Sequence, residues 1–195
     1  DTDASGALVA TITKVKAAGA EVLDFPDTIP YPAEDPADTY TVTKIHLTGF
    51  DSIPDENAFT SVQFPKGVEE ISFGYGVSNL SQVTELTIPG SVKNFGGSLQ
   101  GMKALETLTF ADGVEEISGG SIVSGCSKLT TIQLPRSLKK LSGTATFSDA
   151  TALTTITLPE GIENTLPEGI EITEGSTFRG CTALEKIELP ASITK

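Results

Sequence analysis

A pattern of aliphatic residues repeats about every two dozen positions through most of this chain, and it constrains the fold more than any other feature. Each copy reads L-x-x-I-x-L-P-x-x-V-x-x-I, in which L, I and V stand for any bulky aliphatic side chain. A unit of this length cannot bury its apolar side alone, so the pattern predicts stacked coils that share one continuous core. The copies begin at Phe59, Val83, Leu105, Leu129, Leu153 and Leu184.

The I-x-L part of each copy predicts a short strand. Its two aliphatic side chains fall on one face because side chains alternate along a strand, and the following proline ends the strand because it has no N–H to donate. We therefore predict one parallel strand per coil, then a turn through the V-x-x-I segment, and a short helical or 3₁₀ return through segments such as GCSKL (125–129). The expected strand positions are Leu23, Ile45, Val62, Leu86, Leu108, Ile132, Ile156 and Ile187.

Both ends of the chain depart from the regular pattern. Residues 6–15 alternate like a strand and are interpreted as an N-terminal cap, and three prolines interrupt the pattern within residues 30–38. We therefore divide one continuous solenoid into a cap with a first irregular coil (residues 1–38) and a repeat array (residues 39–195). The chain stops soon after its last template proline, so we expect either that it continues in a longer protein or that a partner, a second copy included, covers the last coil.

The segment TLPEGIEN (157–164) is followed at once by TLPEGIEI (165–172). Successive copies of the repeat are spaced by 24, 22, 24 and 24 residues, and then by 31 residues across this duplication. The excess is close to the length of the duplicated unit, so we interpret it as a stutter within one coil. Two copies then compete for one position, and the other must bulge from the array. Whether the bulge has a function of its own stays open.

The charge balance excludes some classes of partner. The chain has 13 basic and 26 acidic residues, for a net charge of −13. Nucleic acid and anionic membrane surfaces bind basic patches, so neither is expected as a partner. No apolar run approaches the roughly 20 residues of a transmembrane helix. The first residues, DTDASG, lack the basic and apolar regions of a signal peptide, so we expect the signal to be absent or already removed.

Residues suited to catalysis or metal binding are few. His46 is the only histidine, which leaves a Ser-His-Asp triad or a zinc site without support. Paired carboxylates recur at Glu69–Glu70 and Glu115–Glu116. The same positions of other copies hold Lys93–Asn94 and Lys139–Lys140, so opposite charges should meet on neighbouring rungs and hold the stack in register. We predict no enzymatic activity, no catalytic residue, no metal and no cofactor.

The two cysteines share one template position. Cys126 and Cys181 each lie three residues before the leucine that opens a copy, and Ala150 holds that position in the coil between them. Two coils correspond to about 10 Å on the strand spacing, which exceeds the ~7 Å Cα separation that a disulfide allows. We predict two free, buried thiols that serve as small core residues.

The outward positions of the predicted strands form a strip rich in threonine, on what we expect to be the concave side of the solenoid. Solenoids bind partners through extended surfaces of this kind. Threonine also favours exposed strand positions through its β-propensity alone, so a binding role and a purely structural role both stay open. The candidate binding residues are Thr87, Thr107, Thr109, Thr131, Gln133, Thr155 and Thr157.

Two segments resemble a known family. LPRSLKKLSGTATFSDATALTTITLPEGIE (134–163) and STFRGCTALEKIELP (176–190) are similar to the bacterial leucine-rich repeats of the BspA-like type, whose consensus is L-x-x-I-x-L-P-x-x-V-x-x-I-x-x-x-A-F-x-x-C-x-x-L. The resemblance covers about residues 40–195, although the A-F pair is intact only at Ala58–Phe59. It implies a β-rich α/β repeat solenoid, a right-handed superhelix with short parallel strands on one face and short helical or 3₁₀ returns.

The resemblance also implies a function. Proteins of this type are secreted or lie on the cell surface, often in host-associated bacteria, and they bind other proteins or adhere to matrix. The leading hypothesis is therefore a non-enzymatic, extracytoplasmic module that recognises a protein ligand, or alternatively a glycan, through its strand face. The second hypothesis is a structural spacer or envelope scaffold that displays another domain.

Overall fold

The computed structural model describes residues 9–12, 22–30, 39–47, 59–74, 77–142, 146–157 and 178–188. Fourteen short strands and one 3₁₀ helix (Val77–Leu80) lie within these ranges. The strands are β1 (Val9–Ile12), β2 (Val22–Asp24), β3 (Thr28–Pro30), β4 (Thr39–Leu47), β5 (Ser61–Gln63), β6 (Glu70–Phe73), β7 (Glu85–Ile88), β8 (Asn94–Gly97), β9 (Thr107–Phe110), β10 (Glu116–Ser118), β11 (Thr131–Gln133), β12 (Lys140–Ser142), β13 (Thr155–Thr157) and β14 (Lys186–Glu188).

The strands build two main parallel sheets around one shared core. In the first sheet, β7, β9, β11, β13 and β14 follow one another in chain order. In the second sheet, β4, β6, β8, β10 and β12 do the same, with β1 beside β4 and β3 antiparallel to β4. The short pair β2–β5 precedes the first sheet, because β5 contacts β7. The coils that begin at Val83, Leu105 and Leu129 therefore each contribute one strand to each sheet, and the described part of the chain is a β-solenoid.

The second sheet is the main departure from the predicted architecture. We predict one strand per coil and only a turn through V-x-x-I, and this is wrong because that segment leads into a second strand. The turn itself is tight: the N–H of Leu138 donates to the carbonyl of Pro135 (3.1 Å). The chain then extends again, and the final aliphatic residue points inward, as Ile117 and its register partner Leu141 do. The V-x-x-I segment thus crosses from the first sheet to the second.

The returns between coils are single turns rather than helices. In the return before β11, the N–H of Leu129 donates to the carbonyl of Cys126 (3.0 Å), and Gly125 has a φ of 73°. An isolated turn fixes several residues for one hydrogen bond and does not propagate into a helix. The predicted α/β class with helical returns is therefore wrong, apart from the single 3₁₀ helix of the described residues. The same return bond recurs at Val83, Leu105, Leu153 and Leu184.

The inward residues of the first sheet form the continuous core that the repeat predicts. Ile132 lies in register with Leu108, and its strand pairs with the one that carries Ile156. The three side chains are 6%, 0% and 1% exposed. The prediction that consecutive copies stack on adjacent strands is therefore confirmed.

A chain of aromatic rings ties the irregular first coils to the regular array. Phe25 stacks on Phe64 with ring centroids 5.9 Å apart, and Phe64 packs against Phe73 at 6.4 Å. Phe73 then meets Phe95 edge-on at 6.3 Å, and Phe95 meets Phe110 at 5.3 Å. Edge-to-face and offset pairs contribute beyond their buried area, so these rings join the coil that holds β2 to the repeats that follow.

Ile45 lies in a different sheet from the one predicted. Leu23 pairs directly with Val62, so no strand lies between them in the first sheet, and Ile45 pairs with Ile71 in the second sheet. The segment VTKIHL (42–47) matches the V-x-x-I part of the repeat as well as it matches I-x-L, and no proline follows it. The prediction that Ile45 occupies the first sheet is therefore wrong.

The two irregular parts of the chain have different outcomes. The strand predicted within residues 6–15 is present as β1, at the edge of the second sheet. The division into residues 1–38 and 39–195 stays a prediction. Thr155 pairs directly with Lys186, so the duplication lies within one coil, as predicted. Residues 158–177 lie outside the described part of the chain, and the competition between the two copies stays a prediction.

Candidate binding surface

The candidate binding residues lie in two columns on the outer face of the first sheet. Thr107, Thr131 and Thr155 occupy equivalent positions on β9, β11 and β13. Parallel strands are about 4.8 Å apart, so side chains in one column repeat at that distance. The structure therefore brings the seven residues together on one face. The second column contains Thr87, Thr109, Gln133 and Thr157.

Alternation along each strand explains why these residues face outward. In β9, Leu108 and Phe110 point into the core, while Thr107 and Thr109 are half-buried on the outer face. Branching at Cβ limits their χ1 rotamers and suits a pleated surface, so the face is ordered before any ligand arrives. Among the described residues, the hydroxyls of Thr87, Thr107 and Thr109 have no protein partner, and they are free to bond water or a ligand.

The end of this face at β14 is charged and internally bonded. Lys186 Nζ donates to Glu188 Oε1 (2.6 Å), and the hydroxyl of Thr157 donates to Glu188 Oε2 (2.9 Å). These bonds, that from Lys186 first, lower the pKa of the Glu188 carboxyl. Of the seven candidates, two therefore have a hydroxyl bonded to another side chain: Thr157 to Glu188, and Thr131 to Thr130 at 3.5 Å.

The outer face of the second sheet carries the predicted alternation of charge. Glu115 lies between two lysines, with its carboxylate 2.7 Å from Lys139 Nζ and 3.7 Å from Lys93 Nζ. The hydrogen bond from Lys139 is the main cause that lowers the pKa of Glu115. Lys140 and Glu116 form a parallel pair at 2.7 Å. The predicted pairing of opposite charges on neighbouring rungs is confirmed here, and its role in holding the register stays a prediction. The next predicted rung, Glu163–Asn164, lies outside the described residues.

Further polar features of the described residues are a lone histidine and a surface depression. His46 lies in β4 of the second sheet, beside Ser72 of β6 and away from the first sheet. No group of three or more His, Cys, Asp or Glu side chains is placed to hold a metal ion among these residues. A shallow depression of ≈ 160 Å³ opens at the ends of β6 and β8, and its lining has no titratable side chain. It is lined by Phe73, Gly74, Gly97, Ser98 and Gly120.

Both cysteines are free, as predicted, but only one is fully buried. Cys126 is 0% exposed and its thiol donates to the carbonyl of Leu99 (3.4 Å); burial raises its pKa to about 12. Cys181 is half-buried, donates to the carbonyl of Phe147 (3.0 Å), and has a pKa that burial raises. The prediction of full burial is wrong for Cys181, because described coils cover it on one side only.

The periodic two-strand coil agrees with a known repeat. The model of the BspA type leucine rich repeat region matches residues 43–165 and 163–195, with 6 copies. The chain belongs to the BspA-type leucine-rich repeat family. The BspA-type match extends through the first sheet from β7 to β14 and through most of the second, so the candidate face is built from family repeats.

Two solved structures are similar to this BspA-type chain. One is a leucine-rich repeat protein from Bacteroides ovatus, at 18% identity and a TM-score of 0.44 over 88% of this chain, which spans 55% of that protein. The other is a leucine rich cell surface protein from Faecalibacterium prausnitzii, at 14% identity and a TM-score of 0.21, covering 98% of this chain and 92% of that one. Similarities this low transfer no function. A search among curated proteins finds no match.

The described part of this BspA-type chain has no helix of the length and apolarity that crossing a membrane requires.

Proposed function

We propose that this chain is a non-enzymatic, secreted or cell-surface BspA-type repeat protein that binds a protein ligand through the outer face of its first sheet. The observation that carries the proposal is the pair of threonine and glutamine columns, which repeat at a regular spacing. Apart from Thr131 and Thr157, the side chains of these columns have no hydrogen-bond partner among the described residues. An unpaired donor or acceptor on an ordered surface can bond a ligand without first breaking a bond within the protein.

The composition of the face favours a protein ligand of modest affinity. None of the seven candidate residues is Trp, Tyr or Arg, the types that dominate tight hot spots. Threonine hydroxyls both donate and accept, so they match the alternating N–H and C=O groups of a polypeptide backbone. Affinity then comes from many weak contacts along the stack, which suits multivalent adhesion at a cell surface.

The test removes hydroxyls without changing the shape of the strands. Thr107→Val, Thr131→Val and Thr155→Val are combined, because valine keeps the branched Cβ and the strand preference of threonine. Binding is measured against purified extracellular-matrix and host-surface proteins, each immobilised separately, and the melting temperature is recorded for each variant. We expect the triple variant to lose binding of any panel protein that the wild type retains, with an unchanged melting temperature.

A matched control removes three hydroxyls from the return turns. Ser127→Ala, Thr151→Val and Thr182→Val lie at exposed positions outside the first sheet, and they should leave binding unchanged. Equal binding by both triple variants would show that the threonine face is not the contact surface and would favour the spacer hypothesis. The proposed location is tested separately: protease treatment of intact source cells should remove the protein, whereas full protection would place it inside the cell.

A further inference from the structure

The outer faces of the two sheets differ in whether their carboxylates form ion pairs with lysines. On the second sheet, the carboxylates of Glu70, Glu115 and Glu116 lie 2.9, 2.7 and 2.7 Å from a lysine Nζ on a neighbouring rung. Exposed pairs of this kind are individually weak, but they leave little unpaired charge. The second face therefore pairs these three carboxylates with its own lysines, while the exposed Glu69 beside it forms no ion pair with the described residues.

On the strands of the first sheet or just before them, three carboxylates face no lysine. Glu85, Glu106 and Glu185 are exposed, and none of them forms an ion pair with the described part of the chain. Their neighbours along the stack are threonines: Glu85 is in register with Thr107, and the N–H of Glu185 donates to the carbonyl of Thr154 (3.0 Å). The same repeat that sets a lysine beside a glutamate on one face sets a threonine there on the other.

Nearby cations do not compensate this negative charge. Lys186 is bonded to Glu188 within the face, at 2.6 Å. Lys103 and Lys128 are exposed in the return turns and form no ion pair with the described residues. In a chain of net charge −13, such a face attracts cationic groups from solution.

The distance between two of these unpaired carboxylates follows from the spacing of the strands. Glu106 and Glu185 both occupy the position just before a first-sheet strand, on β9 and β14, and the rungs between them carry Thr130 and Thr154 there. Three steps of ~4.8 Å put the two positions about 14 Å apart. An extended polypeptide rises about 3.3 Å per residue, so side chains four residues apart are separated by about 13 Å.

We infer that the partner presents an extended segment with two basic residues four positions apart, which meet Glu106 and Glu185 while the segment between them lies along the threonine columns. This inference rests on the proposed function and names the chemistry of its partner. The threonine hydroxyls bond the backbone of the segment, and the two ion pairs set its position along the stack. A neutral segment lacks those anchors, and an acidic one is repelled.

The test uses short labelled peptides as the probe. Three nine-residue peptides share a Gly, Ser and Thr background and carry two lysines four positions apart, two glutamines at the same positions, or two adjacent lysines. Each is titrated into isotope-labelled protein and followed by amide chemical shifts. Two exposed ion pairs predict that the spaced-lysine peptide binds about 2- to 30-fold more tightly than the glutamine peptide, with shifts confined to the first sheet.

Charge-neutralising variants link this preference to named residues. The double variant Glu106→Gln with Glu185→Gln should abolish the preference for lysine, and Glu69→Gln, an exposed carboxylate beside the second sheet, should preserve it. Equal affinity for the spaced-lysine and glutamine peptides, or a preference that survives the double variant, would overturn the inference. Equal affinity for adjacent and spaced lysines would overturn the spacing.

The peptide result and the panel result separate the two proposals. If binding of a panel protein is lost when the threonine hydroxyls are removed but is unchanged in the double glutamine variant, the proposed function is supported and the basic partner is refuted. A panel protein that depends on both sets of residues supports both. Panel binding that survives the threonine variants refutes the proposed function itself, whichever peptide binds.

Discussion

The loss in free energy of unfolding should depend on where along the stack a core side chain is truncated. A comparison of Leu108→Ala with Ile187→Ala measures this dependence. Leu108 is 0% exposed and lies between the inward residues of β7 and β11, Leu86 and Ile132. Both neighbouring rungs are hydrogen-bonded to β9, so the backbone cannot collapse into the space that the leucine leaves. Truncation at such a site costs about 3 to 5 kcal/mol, a large part of the 5–15 kcal/mol that stabilises an ordinary domain.

Ile187 provides the comparison because described residues pack against it from one side. It is half-buried in β14, in register with Ile156. Its side chain loses less contact with the core when truncated, so we expect a cost of about 1 to 2 kcal/mol.

The assay is urea unfolding followed by far-ultraviolet circular dichroism, since the chain has no tryptophan to report by fluorescence. Thr107→Ala, on the outer face of the same strand as Leu108, serves as the control and should cost less than about 1 kcal/mol. If Leu108→Ala and Ile187→Ala lose equal free energy of unfolding, or if Leu108→Ala loses no more than the control, the stacked strands do not share one continuous core.

Four further predictions concern the ion pairs, the thiols and the duplication. Lys139→Glu puts like charge beside Glu115, and the unfolding midpoint should fall more at low than at high salt; an equal fall at both would exclude an electrostatic cause. Lys139 lowers the pKa of Glu115, so the carboxyl group binds a proton more readily in the unfolded chain than in the folded one. This pair therefore stabilises the fold above the ordinary carboxyl pKa of 4.5, and its contribution is lost as the pH falls through the lowered pKa. In an acid titration between pH 5 and about 3, the wild type should lose more stability than Glu115→Gln. A thiol reagent at pH 8 should label Cys181 well before Cys126, whose pKa near 12 and full burial suppress the thiolate, and equal rates by mass spectrometry would contradict the burial difference. Deleting residues 158–165 should preserve the strand circular dichroism and the melting temperature, because one coil requires only one copy of the duplicated unit; loss of cooperative unfolding would show that both copies are required.

The sequence predicts the rung spacing and the core but not the second sheet, for a physical reason. I-x-L-P has the two-residue period of a strand and a proline that ends it, so β7, β11 and β13 are predictable. In V-x-x-I the two aliphatics are three apart, as in Leu138 and Leu141, which is typical of a turn or a helix. Only the second of them lies in a strand, and that strand is held by pairing with neighbouring coils rather than by local preference.

Glycine positions show what sequence patterns miss at the corners of the coil. Gly97 has a φ of 106°, and a Cβ there would lie 2.5 Å from the backbone nitrogen of Phe73 on the adjacent rung. A Cβ on Gly119 would lie 2.5 Å from the carbonyl oxygen of Gly97. The close approach of these two glycines to the next coil follows from the stacking and is not visible in one copy of the repeat.

For the candidate face too, some features can be predicted from one strand and others only from the way the strands stack. The alternation within one strand predicts that Thr107 and Thr131 point outward, and the structure brings them together as expected. The contrast between the two faces becomes apparent only when rungs are compared: Glu115 meets lysines on both sides, whereas Glu85 is in register with Thr107. On the second sheet, the glutamates and lysines pair with one another and need no external partner. On the first sheet, the unpaired carboxylates contribute nothing to folding stability. Exposed substitutions on the first sheet change stability little. Residues of that face can therefore change while the strands of the second sheet stay paired in register.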